Sequence, residues 1–210
     1  MPLPRLTLLA ATLVGCAVTH APASAQDPPQ TQTGLFSGAL AGQSVAALPL
    51  THLIRDTLVQ DPAVLRERPA VLAWADSLIG DALLVGAPEV NWVLTPELRR
   101  LARRSAGMVP EPERMGQAVM RAPDLTTVPD PLRSSLRTMV AIAGGRHAFI
   151  AASLALALDE EGAVRATLTA VVADARLGRV VWRSDGIGSG ATVGAAIRAA
   201  VASFFPTQGP

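Results

Sequence analysis

The sequence has a single cysteine, Cys16, in 210 residues, no lysine, three histidines and only 3% aromatic residues. One thiol excludes an internal disulfide framework, so the apolar core alone must hold the fold. With no cysteine pair and no His-x-x-x-His, the spacing of a metal site is missing as well. All eighteen basic residues are therefore arginine, and asparagine occurs only at Asn91; we read this as the residue bias of a GC-rich bacterial genome. Charge is scarce too, at 17% of residues against 50% hydrophobic, which is apolar for a soluble chain yet short of a membrane one. After the leader the longest uncharged apolar run is 148–158, too short to cross a bilayer as a helix. No second membrane segment is expected.

What is present begins with a leader. Arg5 precedes an almost wholly apolar stretch, 6–14, and small Ala and Ser residues lead to Gln26, the order of a secretory signal over residues 1–25. Two processing sites compete inside it. Leu13-Val14-Gly15-Cys16 matches a bacterial lipobox, whose cysteine carries diacylglycerol, whereas Ala23-Ser24-Ala25 before Gln26 suits ordinary signal peptidase. Use of the first anchors the chain; use of the second releases it without a cysteine. We favour lipidation of Cys16, because a solitary cysteine sits at the end of the apolar run, and acyl chains there give stable anchoring. Either cut removes Arg5, leaving 17 arginines against 17 acidic residues. Such neutrality argues against nucleic acid as a partner.

Residues 17–42 are rich in Ala, Pro, Gln, Thr and Ser, a composition expected to form a disordered tether. A single domain is expected over 43–206, followed by a tail at 207–210; a body of this size can bury an adequate core. Val45 to Leu48 before Pro49 read as a buried strand. Leu72, Ala75, Leu78, Ile79, Ala82 and Leu83 then recur at helical spacing, with Trp74 read as core and Asp76 and Asp81 off the apolar face. A strand at 90–94 precedes Thr95-Pro96-Glu97, read as N-cap, first helical proline and early carboxylate of a helix ending near Gly107. Residues 108–129 read as irregular, with a short helix near 113–120. Asp130-Pro131 repeats the cap-and-proline device before a helix ended by Gly144 and Gly145. Strands at 147–158, 164–174 and 179–183 are joined by short glycine-containing loops, as in antiparallel hairpins, and a last helix covers 191–205. The expected fold is α/β (α+β): a mixed sheet of about five strands flanked by helices, ending in an antiparallel meander and a C-terminal helix.

The hairpin Asp174-Ala-Arg-Leu-Gly178-Arg-Val-Val-Trp182 resembles one recurrent in bacterial envelope proteins of the curli-secretion lipoprotein (CsgG) type. Lipoprotein activators of penicillin-binding proteins and the amino-terminal domain of TolB are similar in architecture. Ser44-Val-Ala-Ala-Leu-Pro-Leu50 resembles the first strand of those domains, and Gly145-Arg-His-Ala-Phe-Ile150 their short strand after a helix. The resemblance implies an interaction or assembly module and not an enzyme. Long membrane-inserting strands are not evident, so a pore is not expected. Within the hairpin, Gly178 is suited to a positive φ, Asp174 to accepting turn amides, and Trp182 to closing the sheet on a helix.

Candidate chemistry is sparse. Gly186, Gly188, Gly190 and Ala191 match a dinucleotide fingerprint in spacing, but no strand follows to complete the βαβ unit. We read them as a flexible turn feeding a helix, with amides open to an anion. Ser189 lacks the G-x-S-x-G elbow of a hydrolase, and His147 reads as a polar edge residue. Arg99, Arg100, Arg103 and Arg104 line one helix and offer a patch for lipid phosphates or an acidic partner, set against the plainer reading of a solvated face. The sequence thus points to a non-enzymatic exported envelope protein with no cofactor, partnered by another envelope protein or by itself. The alternative is a periplasmic ligand-binding protein or hydrolase using the glycine run or a pocket near His52 and His147.

Overall fold

The computed structural model describes residues 37–205. The leader, both processing sites, Cys16 and the tail lie outside them. A six-stranded mixed sheet runs in the order β3-β1-β4-β5-β6, with β2 pairing β4 beyond the end of β1. A turn of helix, α1 (Ser37–Leu40), lies within the segment expected to be tether and buries Leu40 in the core. Strand β1 (Ser44–Leu48) stops before Pro49, which cannot donate to a ladder. The missed strand β2 (Leu53–Arg55) resumes the same edge, pairing in parallel with Leu154, Ala155 and Leu156.

Helix α2 (Arg68–Gly86) leads to β3 (Asn91–Val93), α3 (Thr95–Arg104), α4 (Leu132–Ile142), β4 (His147–Leu158), β5 (Val164–Asp174), β6 (Arg179–Gly190) and α5 (Val193–Ala202). Between α3 and α4 lie two short 3-10 turns, Pro112–Arg114 and Gln117–Arg121, in place of the expected short helix. β1 is parallel to both β3 and β4, whereas β4, β5 and β6 form the antiparallel meander.

Alternation along the strands sorts apolar side chains onto two faces. On one, Val45, Ala47, Phe149, Leu168 and Val172 meet α2 and α5; on the other, Ala46, Leu48, Ile150, Val171 and Ala173 meet α3, α4 and the 3-10 turns. A bulge between Ala151 and Ser153 reverses the parity of β4, so Leu154 and Leu156 rejoin Phe149 on the first face. By length and composition α2 is the one described helix that could cross a membrane; here Val71, Ala75, Leu78, Ile79 and Leu83 are buried against the sheet and α5. Trp74 is only half-buried, packed on the core with the Arg66 guanidinium 5.6 Å from its ring centre.

The largest departure from the sequence reading concerns the glycines. Gly186, Gly188 and Gly190 are the last turnless residues of β6, opposite Leu168, Ala166 and Val164 of β5, and not a loop. A Cβ on Gly188 would lie 2.2 Å from Ala200 N, and one on Gly186 would lie 2.2 Å from Ala200 O. Helix α5 therefore rests directly on a side-chain-free stripe of sheet, and every second residue must be glycine for the backbones to approach. This seating brings Phe204 edge-on to Trp182 at 5.2 Å and to Phe149 at 6.4 Å, and Phe149 edge-on to Trp92 at 5.9 Å. Such pairs contribute about 0.5–1.5 kcal/mol each beyond area burial.

A Gly188→Ala substitution is expected to destabilise the fold by about 2–3 kcal/mol, since the clash is with α5 backbone and not with a mobile side chain. Urea unfolding of the variant checks this, with Gly162→Ala in the open β4–β5 turn separating backbone strain from overpacking.

Candidate functional site

Asp174 is 2% exposed and organises the β5–β6 turn. Its Oδ1 accepts the Arg176 and Leu177 amides at 3.0 and 2.9 Å, and its Oδ2 accepts Arg146 Nε and Nη2 at 2.8 and 2.6 Å. Burial works to raise its pKa, but the guanidinium and the two amides outweigh that and hold the carboxyl below its ordinary value. Gly178 closes the turn at φ +68°, and Trp182 is buried against Phe204. All three residues are spent on architecture.

The residues that looked chemical are dispersed. Leu154 N–H donates to His52 O at 3.0 Å, whereas His147 begins β4 beside Val45. Those points lie seven residue steps apart along β4, about 20 Å, so among the described residues the two histidines do not share one pocket. Arg121 Nη1 lies 3.1 and 3.0 Å from the two ring nitrogens of His52, and His147 Nδ1 lies 3.0 Å from Gln43 Oε1. Burial lowers both histidine pKa values, helped at His52 by Arg121 and Arg68. Ser189 is a strand residue paired with Arg165. Two of the amides at the start of α5 are already taken: Asp61 Oδ2 accepts Val193 N–H at 3.0 Å and Thr192 Oγ1 accepts Ala195 N–H at 3.2 Å.

On α3 the four arginines differ in their partners. Arg99 Nε is 2.5 Å from Glu113 Oε1 and Arg100 pairs with Glu97, while Arg103 and Arg104 face solvent. Thr95 is not the N-cap; the helix starts at Thr95 itself after Leu94, and the hydroxyl donates to Ala47 O at 3.5 Å.

Two sites were not read from the sequence. The first is a crevice outside the carboxyl ends of β1 and β3, about 160 Å³, walled by Leu48, Leu94 and Phe149 and closed at one end by Asp76 and Arg99. Helical spacing set Asp76 off the apolar face of α2, yet its side chain is only 8% exposed. Its Oδ1 accepts Leu50 N–H at 2.6 Å, and Arg99 Nη2 stands 3.9 Å from Oδ2. Burial pushes the Asp76 carboxyl up to about 7, with Glu113 adding to the rise and Leu50 N–H and Arg99 opposing it. The second is an open groove of about 780 Å³ between α2 and α5, floored by Gly86, Ala202 and Phe205 beside Val85, with Asp81 and Arg198 on its rim. Val85 is 83% exposed and its neighbour Leu84 is exposed as well, so the second half of α2 turns apolar surface outward. Periodicity flags neither, because both adjoin the core stripe, with Ile79 and Leu83 lining the crevice and Ala82 lining the groove, and each is formed only where α2 meets another element.

No family model and no curated protein matches the sequence. Among solved structures, the chain is similar to the LpoB C-terminal domain from Salmonella enterica, at 12% identity over 71% of this chain and 84% of that one, TM-score 0.41. It is also similar to the PelC dodecamer from Paraburkholderia phytofirmans (14% identity, 81% and 89% covered, TM-score 0.39) and to lipoprotein GNA1162 from Neisseria meningitidis (13% identity, 70% and 81% covered, TM-score 0.33).

The raised Asp76 pKa carries a stability signature. Between the unfolded value near 4 and the folded value the native state binds more protons than the unfolded state, so stability falls as pH rises through that window. The expected loss is about 1 kcal/mol per pH unit between pH 5 and 7. Asp76→Asn retains an acceptor for Leu50 N–H and is expected to flatten that slope in urea titrations run at each pH.

Proposed function

We propose that this chain is a non-enzymatic, exported envelope protein, anchored through lipid on Cys16, whose folded domain docks another envelope protein through the α2–α5 groove. The leader and lipobox support export and anchoring. With α1 starting at Ser37, 20 residues follow Cys16 before the described fold, a tether that spans at most about 70 Å when extended. The observation that carries the docking reading is Val85, 83% exposed on the wall of an apolar groove; a patch of this kind with a charged rim is the usual mark of a protein interface. The glycine run supports it from the other side, because those residues seat α5 and hold no ligand loop. The finer resemblance to curli-secretion and TolB-type domains belongs to this proposal and rests on the hairpin and strand motifs alone.

The test is made in envelopes of the producing cell with a photo-crosslinking residue at position 85. The mature chain is expected to begin at an acylated Cys16, to leave the membrane fraction in Cys16→Ser, and to yield a discrete crosslinked species with a second envelope protein that a probe at Glu160 does not give. A soluble chain beginning at Gln26, or crosslinks from position 85 no different from those at Glu160, contradicts the proposal. A crosslinked species of twice the chain mass assigns the groove to a second copy and overturns the choice of partner.

A further inference from the structure

The crevice at Asp76 lies where the chain connections diverge. β1 continues through β2 along the sheet and reaches α2 on one face, β3 feeds α3 on the other, and the carboxyl ends of the two parallel strands are left with a gap between their outgoing connections. In open sheets with parallel strands, gaps at such switch points are where ligands bind. Here the gap persists as a cavity of about 160 Å³, a volume that suits about six to eight non-hydrogen atoms. Most of its wall is aliphatic or aromatic, with Leu48, Leu94 and Phe149 facing it.

Its polar end is unevenly charged. Asp76 and Asp81 from α2 line it beside a single base, Arg99 from α3, whose own partner Glu113 comes from the 3-10 turn. Arg99 is already committed, because its Nε bonds Glu113 Oε1 at 2.5 Å while its Nη2 stays 3.9 Å from Asp76 Oδ2, beyond hydrogen-bond reach. Asp76 Oδ1 is taken by Leu50 N–H. What remains is one carboxylate oxygen, on a side chain more than nine-tenths buried, with no hydrogen bond from the described residues. An anion would meet an acid excess, and a wholly apolar guest would leave that oxygen unpaired. We propose that this crevice is a binding site for a small alkylammonium compound, its ammonium donating to Asp76 Oδ2 and a chain of about four to six carbons lying against Leu48, Leu94 and Phe149.

Titration of the purified mature chain with n-butylammonium chloride, followed by the amide NMR shift of Leu50, tests this. The shift is expected to saturate, with affinity about tenfold higher at pH 8 than at pH 6, because the ionised Asp76 carboxyl, pushed up to about 7 by burial, is the form that accepts the ammonium. Asp76→Asn is expected to weaken binding at least tenfold, as is replacement of the probe by n-butanol. Ala73 is an exposed residue at the mouth, so Ala73→Leu is expected to block entry in a folded protein that still carries Asp76. A response that does not saturate, that sodium chloride reproduces, or that Asp76→Asn retains in full would overturn the proposal. None of these results bears on Cys16 or the α2–α5 groove, so the two readings stand or fall separately.

Discussion

The close seating of α5 on β6 is the constraint from which much of the molecule follows. Helix and sheet backbones meet with no side chain between them at Gly186 and Gly188, which lowers α5 far enough for Phe204 to reach both Trp182 and Phe149. The aromatic line continues to Trp92 on β3, so one edge of the sheet is tied to the other through ring contacts in a chain with few rings. Ala196, Ala200 and Val201 complete the contact with small or branched side chains; Ala at these points is what permits the approach. The same placement of α5 leaves Phe205 and Ala202 facing α2 across an unfilled groove.

Two buried aspartates show how environment divides identical side chains. Asp174 receives two N–H groups of one guanidinium on Oδ2 and two turn amides on Oδ1, and stays charged as the knot of the final hairpin. Asp76 receives one amide, and its nearest guanidinium is drawn toward Glu113. Desolvation therefore governs Asp76 but not Asp174. A buried carboxyl that titrates near neutrality in a cavity is a common property of functional sites, whereas one locked by four donors is a structural fastener. The division of labour explains why the hairpin motif, the most recognisable stretch of the chain, says more about fold than about ligands.

Much of the fold was legible in the sequence because its signals are local. Short glycine loops between β-rich runs marked the meander, and β4 and β5 occupy the residues expected of them. The apolar stripe of α2 was correctly placed at Ala75, Leu78, Ile79 and Leu83. Failures arose where tertiary packing overrode a local rule. Glycines weaken isolated strands, so the end of β6 reads as a turn in the sequence, although α5 lies directly on it in the fold. Asp76 sits beside the helix stripe by periodicity, but the end of β1 supplies the Leu50 amide that draws it inward. β2 was hidden by the break at Pro49, since three residues show no alternation to read. The crevice and the groove depend on how separate elements abut, and linear spacing carries no such information.

The central claim is that the glycine run belongs to the sheet, so that α5 is seated and no ligand loop exists there. Amide hydrogen exchange across residues 184–190 tests it most directly. The account predicts that the alternate amides bonded to β5 exchange at least a hundredfold more slowly than Gly162 in the open β4–β5 turn. Exchange of all the amides from Gly186 to Gly190 as fast as that of Gly162 would contradict it.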